Sequence, residues 1–255
     1  MKIALIQMDI VWENKKANYA RAEKFFKKAA LESCDIIVFP EMFNTGFSMN
    51  IPAVAEDEEG ETSLVLSALA KKYGLNVIAG YAVKAKGLKK LKNLAVAFDR
   101  SGSVMARYAK MHPFSFAKEN KYFSAGNTRI IFYIEGVPVS VFICYDLRFP
   151  EIFRDIAKGV QAIFVLANWP DSRKDHWETL LKARAIENQC FVIGVNRTGK
   201  DGNDIRYPGA SHVFDPLGKD ICAGNSREQF ITCEIVPEEV IRVRSRFPFL
   251  DDMRS

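Results

Sequence analysis

The sequence has few of the patterns that mark disulfide-stabilised, membrane-spanning or metal-binding proteins. Its five cysteines are odd in number, and none forms a Cys-x-x-Cys pair, which argues against a disulfide framework and against zinc or dithiol sites. Its three histidines, His112, His176 and His212, do not pair at metal-ligand spacing, so no metal is expected. Because no apolar run reaches membrane-spanning length, no membrane partner is expected either.

Linkers, strong charge and a leader pattern are also missing. No Gly/Ser/Pro-rich stretch divides the 255 residues, so we predict one domain over 1–255. The net charge of +5 is mild, and the five lysines between Lys84 and Lys92 surround Gly87 as in a hairpin tip, so nucleic acid is not an expected partner. Gln7 and Asp9 interrupt the first apolar run too early for a signal peptide, which favours a cytoplasmic protein with reduced thiols.

The order of predicted elements indicates an α+β (α/β) layered sandwich with a mixed sheet. Hairpins stand between strand–helix units, and this arrangement disfavours an uninterrupted series of parallel crossovers. A short helix and a basic, Pro-containing tail follow over 237–255, and this segment either packs on a partner subunit or is loose. The predicted strands are 2–8, 35–39, 77–83, 91–98, 104–108, 137–143, 161–167, 190–195, 209–214 and 229–235; the predicted helices lie around 22–29 and over 61–73, 151–157 and 173–189.

Cys144 stands where a predicted buried strand ends and a helix is about to begin. A thiol at such a turn lies near the backbone N–H groups and positive dipole of the following helix, which favour a thiolate. The pattern therefore predicts a nucleophile. The alternative is a small hydrophobic residue buried at a strand end, since free cysteines are among the most buried residues.

Two other strand ends carry side chains suited to the same chemistry. Glu41 follows the apolar run 35–39 and Pro40, and Lys110 follows the strand 104–108, with Glu119 in the polar segment after it. Loops at strand ends are where function concentrates in open sheets. The alternatives are that Glu41 only accepts local backbone hydrogen bonds and that Lys110 is a solvated surface charge.

Taken jointly, three stretches resemble the nitrilase superfamily of carbon–nitrogen hydrolases. They are Phe39-Pro-Glu41, Tyr108-Ala-Lys110-Met-His112, and Ile143-Cys-Tyr-Asp-Leu-Arg-Phe-Pro-Glu151. The resemblance continues through Asn168-Trp-Pro170, Lys182–Asn188 and the segment 209–218, so it covers essentially the whole chain. The detail of Pro40–Phe47, of the Glu119 context and of Asn168-Trp-Pro170 looks most like the bacterial omega-amidases.

The resemblance implies a role for each of these residues. Cys144 would be the nucleophile, Glu41 the general base and Lys110 the cation that stabilises the oxyanion, with the Tyr145 backbone N–H as a second donor. Glu119 would position the substrate or orient Lys110. The chemistry is consistent, because a thiol attacking an amide loses a proton and the ammonia leaving group gains one.

The resemblance also implies a four-layer αββα sandwich that pairs into a homodimer. No cofactor is implied, and the expected partners are a small-molecule amide and water. The expected activity is hydrolysis of the omega-amide of small carboxylates such as 2-oxoglutaramate. One departure concerns the pocket: Pro113 stands where a leucine is common after the Lys-x-His element, and this changes the loop that shapes the pocket mouth.

Three residues are candidates for binding the substrate. Arg148 and Arg173 are the candidate partners of a substrate carboxylate, and Trp169 is a candidate apolar wall beside its methylene chain. For Arg148 the alternative is a structural ion pair under the turn with Asp146 or Glu151. For Trp169 the alternative is simple core packing.

Three other functions remain as alternatives at this point. The first is another amidase of the same superfamily that acts on N-carbamoyl or aliphatic amides, or on nitriles. The second is a catalytically silent dimeric interaction module, and the third is a thiol redox sensor centred on Cys144, for which no resolving cysteine stands at short spacing. Release of ammonia from glutamine-like amides discriminates among these functions.

Overall fold

The computed structural model describes residues 1–84, 87 and 90–254. Short 3-10 segments occur at Ser115–Ala117, Cys144–Arg148, Ala157–Gly159, Asp171–Arg173 and Phe249–Asp252. In chain order the strands and helices are β1 Lys2–Gln7, α1 Lys15–Leu31, β2 Ile36–Val38, α2 Ile51–Val54, α3 Glu61–Tyr73, β3 Asn76–Lys84, β4 Leu91–Phe98, β5 Val104–Ala109, α4 Glu119–Tyr122, β6 Phe132–Ile134, β7 Val137–Ile143, α5 Pro150–Arg154, β8 Ala162–Ala167, α6 Lys174–Asn188, β9 Phe191–Asn196, β10 Thr198–Lys200, β11 Arg206–Pro208, β12 His212–Phe214, β13 Asp220–Ala223, β14 Gln229–Glu234 and α7 Glu238–Arg246.

Two six-stranded mixed sheets form the centre of the protein. The first has the order β14-β1-β2-β3-β4-β5 and the second the order β13-β12-β9-β8-β7-β6. In each sheet three adjacent strands are parallel, β1 to β3 in the first and β7 to β9 in the second, and antiparallel strands flank them. In the first sheet the hairpin-connected strands β4 and β5 extend the parallel centre on one side, and β14, distant in the chain, pairs on the other side. In the second sheet β6 pairs with β7 in a hairpin, and β12 and β13 lie beyond β9.

The alternation of side chains along the strands produces the layers. In β1, Ile3 and Leu5 pack in a core shared with the second sheet, whereas Ala4 and Ile6 pack in a core with α1 and α3. On the other side of the molecule, β8 is buried on both faces and α6 covers the second sheet. The result is the predicted four-layer αββα sandwich, with the helices outside and the two sheets face to face.

Most of the long predicted elements are present at nearly the predicted bounds. The helix over 61–73 is confirmed, and Gly74 ends it with a left-handed φ of 65°. The helix predicted over 151–157 is wrong in its second half, because α5 ends at Arg154 and a 3-10 segment follows. The strand predicted over 209–214 begins only at His212, since Gly209 and Ala210 have positive φ values that extended strands do not adopt.

Short elements were not predicted from the sequence. The strands β6, β10 and β11 have three residues each, and β13 and α4 have four, which is too short for a periodic pattern to identify. Within the lysine-rich turn predicted between β3 and β4, residues 85, 86, 88 and 89 lie outside the described residues.

The C-terminal segment packs on its own chain. The Arg244 guanidinium donates hydrogen bonds to the carbonyls of Gln189, Ala157 and Val160, and the Gln189 side chain donates to the Phe247 carbonyl. These contacts fasten α7 beside the ends of α5 and α6, so the described part of this segment is not loose. In the described ranges, no helix combines the length and the apolar character that crossing a bilayer requires.

Candidate active site

Four strand ends from the two sheets meet at one edge of the sandwich. Glu41 follows β2 and Lys110 follows β5; β5 runs parallel to β3 and β2, because two antiparallel pairings separate β5 from β3. From the second sheet, Cys144 follows β7 and Asn168 follows its parallel neighbour β8. Parallel strands end at the same edge of a sheet, so the topology brings the predicted nucleophile, base and cation together.

Cys144 lies at a strained turn between β7 and the 3-10 segment Cys144–Arg148. Its φ is +47°, a value that residues other than glycine rarely adopt and that clusters at functional sites. The thiol Sγ lies 3.8 Å from the carbonyl oxygen of Asn168. The turn also leaves the Tyr145 N–H without an acceptor inside the helix, because the first N–H groups of a helix have none.

Lys110 is fully enclosed and bonded to two carboxylates. Its Nζ lies 2.8 Å from Glu41 Oε1 and 2.9 Å from Glu119 Oε2, and only 1% of its side chain is exposed. Burial lowers the pKa of Lys110, but Glu119 and Glu41 outweigh burial, so the pKa is raised and the side chain stays an ammonium. The alternative of a solvated surface lysine is therefore wrong.

Glu119 is occupied by donors on both oxygens. Oε2 accepts from Lys110 and from the Phe114 N–H at 2.5 Å, and Oε1 accepts from Asn93 Nδ2 at 3.0 Å. Burial raises the pKa of Glu119, Lys110 lowers it and Glu41 raises it, with a net shift upward. Its position next to Lys110 agrees with the predicted orienting role.

Glu41 differs from Glu119 in having one oxygen with room for a proton. Oε1 accepts from Lys110 and from Asn93 Nδ2, both at 2.8 Å. Oε2 accepts the Asn168 N–H at 2.9 Å, and its second contact, to Asn168 Nδ2, is long at 3.5 Å. Glu41 is thus bonded to side chains of three other segments, which is more than the local backbone bonding of the alternative interpretation.

The thiol is not a resting thiolate, which corrects the expectation drawn from the helix dipole. Burial raises the pKa of Cys144 well above its usual range, Glu41 raises it further, and Lys110 only partly opposes them. A 3-10 segment of five residues has little dipole to set against a desolvated thiol beside carboxylates. The thiol needs a base in order to react.

Two asparagines complete the network and were not identified from the sequence. Asn93 lies on β4, 1% exposed, and its Nδ2 donates to both glutamates. Asn168 donates its backbone N–H to Glu41 Oε2 and its Nδ2 to the Glu41 carbonyl oxygen at 2.5 Å. The only sequence signal for Asn93 is a polar residue on the buried face of an apolar strand, and that signal does not say what the residue contacts.

Asp146 joins the Lys110 segment to the Cys144 turn. It is fully buried, and its Oδ2 accepts from the Tyr108 hydroxyl at 2.8 Å and from the Ile143 N–H at 3.1 Å. Its Oδ1 accepts the His112 N–H and contacts His112 Nδ1, each at 2.9 Å. His112 is therefore structural, as its spacing predicts, and it belongs to the support of the site.

An open cleft of about 520 Å³ leads to Cys144 and Lys110. Its walls are largely apolar, and Tyr145 and Asn168 line it beside Cys144. Trp169 lines the cleft but is only 3% exposed, and it packs on Trp177 at 5.6 Å between ring centroids, so core packing is observed for it. Its contact with a substrate stays a prediction. The apolar rings that line the cleft are Phe47, Phe114, Trp169 and Tyr207.

Both candidate arginines line the same cleft. The Arg148 guanidinium lies 4.8 Å over the Trp169 ring, and its Nη2 is 3.1 Å from His176 Nδ1. Arg173 lies 5.6 Å over the Phe114 ring. Neither has a carboxylate within salt-bridge distance in the described part of the chain, so the alternative ion pair of Arg148 with Asp146 or Glu151 is not observed.

The structure bears on two other kinds of site, a metal centre and a redox-active thiol pair. Among residues 1–84, 87 and 90–254, no group of three or more His, Cys, Asp or Glu side chains could hold a metal ion. Cys222 on β13 and Cys233 on β14 interact, since Cys233 lowers the pKa of Cys222. Their Sγ atoms donate to the carbonyl oxygens of Thr232 and Glu234, each at 3.8 Å. Cys144 contacts the Asn168 carbonyl instead, and this arrangement does not favour the redox-sensor alternative.

The chain is similar to characterised amidases along its whole length. The family model for carbon–nitrogen hydrolases matches residues 2–245. The 2-oxoglutaramate amidase of Bacillus subtilis (strain 168) is 36% identical over 255 residues, which cover 99% of this chain and 97% of that protein. The omega-amidase YafV of Escherichia coli (strain K12) is 34% identical, and the match covers 99% of this chain and 96% of that one.

A solved structure shares the fold. XC1258 from Xanthomonas campestris, described as a CN-hydrolase superfamily protein with an arsenic adduct in the active site, matches with a TM-score of 0.94 and 32% identity. The match covers 100% of this chain and 97% of that one.

Proposed function

This chain belongs to the carbon–nitrogen hydrolase family and is a hydrolytic amidase; from that premise we propose that it hydrolyses the omega-amide of small carboxylates such as 2-oxoglutaramate, through an acyl-enzyme on Cys144. One observation carries the proposal: the buried Lys110 ammonium is bonded to Glu41 and Glu119 beside a strained cysteine, at the end of an open cleft. These are the parts that amide hydrolysis by a thiol needs.

The first step is removal of the thiol proton. Because the pKa of Cys144 is raised, the thiol attacks only when Glu41 accepts its proton, and Oε2 is the glutamate oxygen with room for it. Glu119 is an unsuitable base, since donors already occupy both of its oxygens. Its role in the proposal is to hold Lys110.

The second step is attack of Cys144 Sγ on the amide carbon. The carbonyl oxygen becomes an oxyanion, which the Lys110 ammonium and the Tyr145 N–H stabilise. Glu41 then gives its proton to the amide nitrogen, the C–N bond breaks, and ammonia leaves. Removal of one such oxyanion donor typically costs about 3 kcal/mol of transition-state stabilisation.

The third step returns the enzyme to its starting state. Glu41, again a carboxylate, takes a proton from a water molecule that attacks the thioester carbon, and the same donors bind the second oxyanion. As the C–S bond breaks, Glu41 returns its proton to Cys144 Sγ, and the free acid leaves. Glu41 thus acts once as a base and once as an acid in each half of the reaction.

The far part of the cleft suits a short chain that ends in a carboxylate. Apolar rings contact methylene groups, and Arg148 and Arg173 are cations in a cleft without a nearby carboxylate among the described residues. The relatives in Bacillus subtilis and Escherichia coli, a 2-oxoglutaramate amidase and an omega-amidase, support the substrate class. A charged guanidinium would favour 2-oxoglutaramate over an uncharged amide of similar length.

We propose a cytoplasmic homodimer as the working form. The five free cysteines support a reducing compartment. On the outer layer Ile186 and Leu217 expose 47% and 59% of their surface, and such apolar side chains favour contact with a second copy. Sedimentation at micromolar concentration tests the dimer, and a mass equal to one chain contradicts it.

Ammonia release tests the substrate class. We expect kcat/KM to be highest for 2-oxoglutaramate, lower for glutamine, and lower still for propionamide and for N-carbamoyl amino acids. Faster hydrolysis of propionamide would indicate a general aliphatic amidase, and faster hydrolysis of an N-carbamoyl amino acid would indicate a carbamoyl hydrolase. No ammonia from any of them would indicate a silent module.

A further inference from the structure

We infer that Asn93 is a positioning residue of the amidase: its carboxamide bridges Glu41 and Glu119 and so keeps Glu41 available to take the Cys144 proton. Asn93 does not line the cleft, so it acts on the substrate only through the glutamates. The inference rests on the proposed role of Glu41 and adds a residue that sequence patterns do not reveal.

The geometry is that of one NH2 group with two acceptors. Asn93 Nδ2 lies 2.8 Å from Glu41 Oε1 and 3.0 Å from Glu119 Oε1. An amide nitrogen has two hydrogens, so each carboxylate receives one of them. Among the described residues, only Asn93 and Lys110 donate hydrogen bonds to both glutamates.

The backbone of Asn93 fixes this arrangement. Asn93 pairs with Ala82 across the β3–β4 ladder, and its carbonyl oxygen accepts the Lys110 N–H at 2.9 Å. One residue therefore holds the main chain of the catalytic lysine and the side chains of both carboxylates. Since β4 lies inside the first sheet, the carboxamide has little freedom to move away.

The bridge matters because two carboxylates that face one ammonium compete for protons. Like charges raise each other's pKa values, and hydrogen bonds donated to a carboxylate lower them. Four groups face this pair: Lys110 after β5, Cys144 after β7, the Asn168 N–H after β8 and the Phe114 N–H. Of the four groups, Lys110 is the only cation. No other positive charge among them could compensate for the loss of the two Asn93 hydrogen bonds.

The consequence is a shift in the pH at which Glu41 becomes a base. In Asn93→Ala each glutamate loses one hydrogen-bond donor that favours its ionised form. The two carboxyl groups should therefore give up their protons only at a higher pH. We expect the acidic limb of the rate profile to move upward by about one pH unit, which on that limb is about a tenfold loss of rate. A purely structural role would lower stability or rate equally at all pH values.

The test measures inactivation by iodoacetamide against pH, because alkylation of Cys144 needs Glu41 but no particular substrate. Mass spectrometry assigns the alkylated peptide, and circular dichroism checks folding. The matched control is Asn76→Ala, since Asn76 is also a buried asparagine on a strand of the same sheet that donates to a carboxylate, Glu135, away from the site. In Asn76→Ala the acidic limb of the pH profile should lie at the same pH as in the wild type.

Asn93→Asp is the second variant, because it keeps the shape and exchanges the NH2 donor for an acceptor. It should move the limb at least as far as Asn93→Ala does. An unmoved limb in either folded variant would overturn the inference. Failure of the proposed substrate class gives a different result, namely no ammonia from 2-oxoglutaramate by the wild type while the alkylation profile still shifts in the variants.

Discussion

The two ends of the cleft differ in how completely their charges are paired. At the inner end, Lys110, Glu41 and Glu119 are essentially without solvent exposure, and their heavy atoms lie 2.8 to 2.9 Å apart. At the outer end, Arg148 and Arg173 lie over aromatic rings and lack a nearby carboxylate in the described chain. A buried charge must be paired because desolvation is costly. A solvent-accessible charge needs no partner in the protein and is free to bind a ligand.

This difference separates reaction chemistry from substrate choice. The charges of the inner network are paired with one another, so a change there should affect the rate with every substrate. In the proposed complex the outer arginines pair with the substrate carboxylate, so a change there should affect charged substrates alone. The predictions below test the two ends in turn.

Glu41→Gln should produce the largest loss among the charge variants. Its amide cannot take the thiol proton, and general-base catalysis commonly contributes about 10²- to 10⁴-fold, so we expect kcat to fall by about 10³-fold. Steady-state ammonia release measures it. The control is Glu56→Gln, because Glu56 is also a buried carboxylate with several donors, among them Thr62 and Asn44, and it lies outside the site.

Glu56→Gln should lose stability and keep kcat. Near wild-type kcat in Glu41→Gln would remove Glu41 as the base. It would also contradict the proposed division of roles, in which Glu41 is the base and Glu119 holds Lys110.

Lys110→Met should lower kcat by about 10²- to 10³-fold while KM changes little, because the oxyanion exists only after attack. The expected loss is the same for charged and uncharged amides. Lys72→Met is the control, since Lys72 forms an exposed ion pair with Glu23 and lies over the Tyr73 ring, away from the site. A Lys110→Met variant that raises KM and keeps kcat would place Lys110 in substrate binding instead.

The same Lys110→Met variant should lose stability more steeply than the wild type as pH rises. Without the ammonium, Glu119 faces Glu41 with no cation between them, so the pKa of Glu119, which burial already raises, should rise further. Carboxyls with raised folded pKa values stabilise most at low pH and lose this contribution as pH rises through the folded pKa. The melting-temperature deficit relative to the wild type should therefore grow between about pH 5 and pH 8. A deficit that shrinks with rising pH would contradict the pairing.

Arg173→Met should have the smallest and most selective effect. Loss of a charge-assisted hydrogen bond of about 1.5 to 3 kcal/mol corresponds to a KM for 2-oxoglutaramate raised by about 10- to 100-fold, with propionamide little changed. Arg129→Met is the control, because Arg129 pairs with Asp155 at the surface. Equal effects on the two substrates would mean that Arg173 shapes the cleft and does not bind a carboxylate.

The sequence predicted the chemistry better than the contacts that support it. Lys110 and Cys144 follow strands of six and seven residues, whose periodicity is readable, and Glu41 follows a short continuous apolar run that ends at Pro40. The helix Glu61–Tyr73 and its Gly74 cap were readable for the same reason. The four-layer arrangement came from the family resemblance, since pairing between distant strands has no local signal.

The contacts among distant residues were not predictable from the pattern. Asn93 is 52 residues from Glu41 in the chain, and their bond depends on how strands pair within the first sheet. Asn168 is 127 residues from Glu41, and their bond depends on how the two sheets face each other. The direction of the Cys144 pKa shift was missed because desolvation is a property of the folded site. The docking of Arg244 on the carbonyls of Ala157 and Val160 was missed for the same reason.

The most direct test of the account is the site of the covalent intermediate. Wild-type protein should be mixed rapidly with 2-oxoglutaramate, quenched in acid within the first turnover, digested, and analysed by mass spectrometry, with Cys144→Ala as the comparison. The account predicts a transient acyl adduct on the peptide that contains Cys144, and no adduct or ammonia release from folded Cys144→Ala. An adduct on the peptide of Cys34, Cys190, Cys222 or Cys233, or turnover by Cys144→Ala, would contradict it.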